Sequence, residues 1–193
     1  MCLGMAVNKD LIGNLIIYIV DYCKNNSAPL YQTKLLKLLY LIDEESVIKY
    51  GTPITWLDYA VWQKGPVPAE IYFSKVPHMN KLNEYVSFED RSSRFLVVKK
   101  RAFQNTYFSE VDLSIIDNVL TKYGNKTSGE LIDITHKEGS LWSKIVEGKN
   151  IRFTQDNHTS NEFIDFSLLI AGDKFKHFSY WAARECLETK LSL

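Results

Sequence analysis

Two consecutive apolar stripes at helical spacing commit the first fifty residues of this chain to helix. Leu11, Leu15, Ile19 and Cys23 recur every four residues beside Ile12, Ile16 and Val20, which predicts a helix from about Lys9 to Lys24. Asn25, Asn26, Ser27 and Pro29 break it. A second helix is predicted from about Gln32 to Tyr50, with Leu35, Leu38, Leu39 and Ile42 facing inward and Glu45 paired with Lys49 across one turn of the outer side. Gly51 supplies its C-cap and Pro53 blocks continuation.

Beyond residue 51 the pattern becomes mixed. Tyr59 to Gln63 has strand propensity and ends at Gly65-Pro66, and Pro68 to Lys75 is expected to restart as a short helix. Glu84 to Glu89 and Arg94 to Phe103, separated by Asp90 to Ser93, read as a β-hairpin. Ser109-Glu-Val-Asp112 opens a helix with Leu113, Ile116, Leu120 and Tyr123 on its buried face, and Gly124 ends it. Thr127-Ser-Gly-Glu130 is a second capping box, whose helix leads to His136 before a short turn reaches Trp142. Asn150 to Asn161 is polar and expected as loop; Ile164, Phe166, Leu168 and Ile170 fit either a strand or a buried helix. Phe175, Phe178, Ala182 and Cys186 mark a final helix. No linker or repeat divides the chain, so residues 1–193 are expected to form a single domain. The fold class expected is mainly α (α+β): a compact helical domain with a small antiparallel β-hairpin element.

Composition narrows the function classes. Lys+Arg and Asp+Glu both number 23, so the chain lacks the basic excess usual in nucleic-acid binders. Cys2, Cys23 and Cys186 are odd in number and far apart, with no zinc-knuckle or redox spacing, and read as reduced, mostly buried thiols. Leu11 to Val20 is interrupted by Asn14 and closed by Asp21, too short and polar to span a bilayer. No membrane association and a cytoplasmic location are therefore expected, and the three Asn-X-Ser/Thr matches carry no meaning there.

No arrangement points to catalysis. Gly124-Asn-Lys-Thr-Ser-Gly129 resembles a phosphate loop in its glycines, but Glu130 stands where the lysine should be and would repel phosphate. No G-x-S-x-G elbow is present. His78, His136, His158 and His177 are scattered; His136 has Glu138 two residues away, an arrangement that serves a turn better than an acid/base pair. Asp43, Glu44 and Glu45 diverge by about 100° each on a helix and cannot converge on one metal. Arg91, Arg94, Lys99, Lys100 and Arg101 split between the two faces of a strand, as in a hairpin edge guarded by charge. Neither a catalytic residue, a cofactor nor a metal site is expected. Trp56, Trp62, Trp142 and Trp181 read mostly as core, with one or two free to anchor a partner.

Several blocks taken in order are more informative than any alone. Lys34-Leu-Leu-Lys37-Leu-Leu-Tyr40-Leu-Ile-Asp43, then Gly51, Ile54-Thr55, Tyr59 and Gly65-Pro66-Val67-Pro68, followed by Ile134-Thr-His136-Lys-Glu138 and Trp142, resemble the SocA-like (Panacea domain) antitoxin family, which includes the phage-associated GepA-type proteins. The resemblance spans about Leu11 to Trp142 and leaves Ile151 to Leu193 outside.

Read from the residues, Lys37, Tyr40 and Asp43 share one row of a helix. On an otherwise apolar surface they suit either an internal polar network or an edge offered to a partner. Gly65-Pro66-Val67-Pro68 reads as a stiff turn setting the preceding strand against the following helix. The resemblance itself implies a bacterial antitoxin that neutralises a cognate protein toxin by direct binding, and in one branch delivers it to a ClpXP-type protease. The contact surface is expected to include the Lys37–Asp43 row and exposed aromatics between Trp56 and Trp62. The rival reading is a DNA-binding transcriptional regulator, or a phage-associated regulatory protein, using the basic hairpin as a wing; a hydrolase built on His136 and Glu138 comes third.

Overall fold

The computed structural model describes residues 4, 6, 8–72 and 82–191. Among them are six α-helices, the second of them central, and two separate two-stranded antiparallel sheets. In chain order these are α1 (Lys9–Asn25), α2 (Gln32–Tyr50), β1 (Tyr59–Trp62), β2 (Gly65–Pro68), β3 (Val86–Asp90), β4 (Phe95–Lys99), α3 (Glu110–Tyr123), α4 (Ser128–His136), α5 (Leu141–Gly148) and α6 (Lys174–Leu191). The mainly helical α+β class expected from the sequence is the one observed, with a second hairpin added to the expected one.

The two leading helices form for the reasons their stripes suggest, and Gly51 caps α2 in the left-handed region at φ 88°. The second helix differs in one respect. It is buried nearly all round, Lys34, Lys37, Tyr40 and Asp43 included, because α3, α4, β2, β4 and a 3-10 turn at Phe166–Leu169 all pack against it. Its polar side chains hide the all-round burial from any count of apolar residues.

Hairpin β3–β4 lies on α1, where the ring of Tyr85 sits over Gly13. A Cβ at residue 13 would fall 2.3 Å from that ring, so the glycine sets how closely hairpin and helix approach. Gly13→Ala is expected to lower the unfolding free energy by about 2 kcal/mol, the overpacking cost exceeding the gain in helix propensity. Urea unfolding of the variant beside wild type checks it.

Hairpin β1–β2 corrects the reading of Gly65-Pro66-Val67-Pro68 as a turn. Trp62 pairs with Gly65 and Tyr59 with Pro68, so the reversal falls on Gln63 and Lys64, and the G-P-V-P segment is itself a strand. Two prolines are tolerated because the Val61 N–H is used on the far side of β1, by the Glu162 carbonyl at 2.8 Å. The ladder to β2 therefore runs through residues 60, 62, 65 and 67, and Pro66 and Pro68 stand where no donor is required.

The segment expected as loop over Asn150 to Asn161 runs into a strap along the free edge of β1. The Gln63 N–H donates to the His158 carbonyl at 2.9 Å, the Ile164 N–H to the Tyr59 carbonyl at 2.8 Å, and Ala60 bridges Phe163. Residues 166–169 are a 3-10 turn, neither of the two alternatives raised for that run. The expected helix start at Pro68 is a 3-10 turn at Ala69–Ile71, and the rest of that stretch, with His78 and Cys2, lies outside the described residues. The short turn expected between His136 and Trp142 is present at residues 137–140, and Trp142 itself stands at the start of α5, a helix not expected from the sequence.

Helix α6 is the final helix expected, with its apolar stripe turned outward. Its apolar periodicity does mark a helix, but Phe175 is 88% and Phe178 75% exposed, Ala182 and Cys186 are exposed too, and Tyr180 is the buried residue. The stripe points away from the core because α6 is held by its other side: Tyr180 packs on Trp56 at 5.2 Å, and Lys176 Nζ donates to the Ile48 carbonyl at 2.7 Å.

Candidate functional site

Motif blocks scattered over a hundred residues of sequence meet at one place. Asp43, on α2, is wholly buried, and its carboxylate accepts from the Thr55 N–H at 2.8 Å, from the Thr55 hydroxyl and from the Tyr59 phenol at 2.7 Å. Thr55 Oγ1 in turn accepts from the Leu57 N–H at 3.2 Å. One carboxylate thus ties the irregular segment after Gly51 to the central helix and to β1. Burial raises the Asp43 pKa to about 6, even though the donors from Thr55 and Tyr59 pull the other way.

One turn earlier, Tyr40 donates to Glu44 at 2.6 Å and sits in an aromatic cluster with Tyr59 and Phe166, centroids 5.4 and 5.6 Å away. Burial, and then the Glu44 carboxylate, hold its pKa well above the usual phenol. Lys37, a further turn back, is 1% exposed and donates to the Pro66 carbonyl at 2.7 Å. That carbonyl lies on the edge of β2 that the ladder does not use, so the lysine satisfies it. Burial lowers the Lys37 pKa to about 7.

The remaining blocks close around the same strand. Gly65, at φ 93°, brings its backbone against Lys37 and Thr135; a Cβ there would meet Thr135 Oγ1 at 2.7 Å. His136 stacks on Trp142 with centroids 3.7 Å apart, and the Trp142 indole N–H donates to the Trp62 carbonyl at 2.9 Å. The His136 Nε2 is buried without a hydrogen-bond partner, and stacking on Trp142 is what holds the ring. Burial, then the Lys37 charge, hold its pKa below the usual value. Glu138 is exposed while His136 is half-buried.

The sequence-picked residues are therefore brought together, but inward. Lys37, Tyr40, Asp43, Tyr59, Trp62, Gly65, Pro66, Val67 and Pro68 are buried, with Trp56, His136 and Trp142 partly so. The partner edge along Lys37–Asp43 and the exposed aromatics between Trp56 and Trp62 are corrected accordingly: every polar group of the row has an acceptor or donor inside the fold, and Tyr59 is 1% exposed. Of the two alternatives for the row, the internal network is the one observed.

The basic hairpin is also accounted for locally. Lys99 donates to Asp21 at 2.7 Å, Arg91 to Glu89 at 2.7 Å and Lys100 to the Asn83 carbonyl at 2.7 Å. Arg94 lies 4.6 Å over the Tyr31 ring and Arg101 3.9 Å over that of Tyr85. Among the described residues no group of three His, Cys, Asp or Glu side chains could hold a metal ion, and no helix is long and apolar enough to cross a membrane.

Sequence reasoning missed the surface that α6 builds with the strap. Trp181, 44% exposed, and Phe163, 54% exposed, line a groove of about 860 Å³ with Asp58, Asp165, Arg184, Glu185 and Glu188. The signal was present in the α6 periodicity; its outward sense was not.

A buried polar knot that fastens a hairpin and an irregular segment to a central helix is the physical content of the motif series. The family described as "Antitoxin SocA-like, Panacea domain" matches residues 35–143, more than half of the chain, and the chain belongs to it. The match begins inside α2, so α1 lies outside it. Antitoxin SocA of Caulobacter vibrioides (strain NA1000 / CB15N) is 23% identical over 145 residues, 74% of this chain and 72% of its own length. No solved structure matches.

Proposed function

We propose that this chain is an antitoxin that neutralises a cognate toxin by direct, non-catalytic protein binding, acting as one domain in the cytoplasm without a cofactor. Membership of the SocA-like Panacea family carries this reading, together with a relative that bears the name antitoxin over most of its length. The division of the molecule agrees with it. The motif residues are spent on an internal knot, while apolar side chains on α6 are left facing outward, the pattern of a scaffold that presents a binding face. The hairpin cations, engaged as they are, offer no observation in favour of the DNA-binding wing.

The test is co-expression with the protein encoded beside this chain. Growth arrest by that protein alone, relief when this chain is present and co-purification of the two are the expected results. Equal growth with and without this chain, and no complex, would remove the reading. A fall in toxin level that depends on a ClpXP-type protease would add delivery to the same binding step.

A further inference from the structure

The groove beside α6 has a chemistry that selects its occupant. We infer that it takes a cationic segment of the toxin, Lys or Arg side chains flanking an aliphatic or aromatic anchor; this rests on the antitoxin reading above. The groove is lined by four carboxylates, those of Asp58, Asp165, Glu185 and Glu188, against the single guanidinium of Arg184. Arg184 already donates to Glu188 at 2.9 Å. The chain as a whole is neutral, so this excess is local and aims a negative field at one place.

The walls supply what a cationic segment needs besides charge. Trp181 and Phe163 present partly exposed rings, suited to the apolar stems of Lys and Arg and to stacking of a guanidinium. Phe178, three residues before Trp181, lies about 60° further round the helix and extends the apolar surface beyond the groove rim. A second copy of this chain fits poorly. A two-fold contact would set the acidic groove against itself, and like charges brought together oppose association.

The experiment uses the full-length chain and the protein encoded beside it, with affinity measured by calorimetry from low to moderate salt. Glu185→Lys/Glu188→Lys is expected to weaken binding at least tenfold and to flatten its salt dependence. Trp181→Ala and Phe178→Ser are each expected to weaken it at least tenfold. All these positions are exposed, so melting temperatures should match wild type; Glu89→Lys/Asp90→Lys, on β3, should bind as wild type does. Undiminished binding by both the charge-reversed and the Trp181→Ala variants, with wild type still neutralising, would overturn the groove while leaving the antitoxin reading intact. A wild-type dimer that Phe178→Ser splits would overturn it in favour of a second copy. Failure of wild type to bind at all would bring down both readings.

Discussion

Asp43→Ala is expected to lower the unfolding free energy by about 3–5 kcal/mol, among the largest effects of any single change in this chain. The substitution leaves the Thr55 N–H, the Thr55 hydroxyl and the Tyr59 phenol without their acceptor in a site shut from water. Each orphaned buried donor costs about 1–3 kcal/mol, and relief of the carboxylate's own desolvation offsets part of the sum. Asp43→Asn keeps one acceptor oxygen and should fall between. The pH dependence adds an independent check. Burial raises the Asp43 pKa from 3.8 to about 6, so the folded state binds this proton more tightly than the unfolded chain does. The associated stability is complete below about pH 4 and is lost as pH rises to about 6. Denaturant unfolding between pH 4 and 7 should show this slope in wild type and its absence in Asp43→Asn.

Lys37 titrates with the opposite sign. Its pKa falls from 10.5 to about 7 on folding, so between those values the unfolded chain holds more protons and stability rises with pH. The cost of burying the cation is fully present below about pH 7 and is relieved as pH approaches 10.5. The three pH units from 7 to 10 correspond to about 4 kcal/mol. Comparison with Lys37→Met isolates the effect, because tyrosine titration is common to both proteins and cancels in the difference. Wild type should gain on the variant by about that amount over this range. A constant difference would mean that the ammonium is solvated in the folded protein.

These two side chains show why part of the site was legible and part was not. That Lys37, Tyr40 and Asp43 share a row follows from helix geometry, and their cost on an apolar helix follows from solvation. Whether the row faces a partner or the interior depends on what packs against α2 from β1, β2 and the strap, and local sequence does not hold that. The bounds of α2, the Gly51 cap and both capping boxes were readable because their causes lie within a few residues. Gly65-Pro66-Val67-Pro68 was misread as a turn because its prolines forbid a central strand, whereas here they face the edge that no strand occupies. In α6 the apolar period marks the helix but carries no direction: Phe175 and Phe178 repeat as core residues do, yet they face outward because Tyr180 and Lys176 hold the other side.

The molecule on this account has an inner and an outer half. The motif residues hold β1, β2 and the segment after Gly51 to the central helix; Trp56 and Tyr180 then seat α6 on that frame, so the knot positions the groove without entering it. Damage to the knot should weaken toxin binding only as far as it weakens folding. Damage to the groove should weaken binding alone.

Amide hydrogen exchange of the full chain, free and saturated with the protein encoded beside it, separates the two halves in one measurement. Slowed exchange over residues 163–188, with the amides of Lys37 to Asp43 and of Gly65 and Val67 already slow and little changed, is the expected pattern. Protection confined to the segment from Lys37 to Pro68, with α6 exchanging as fast as in the free chain, would contradict it.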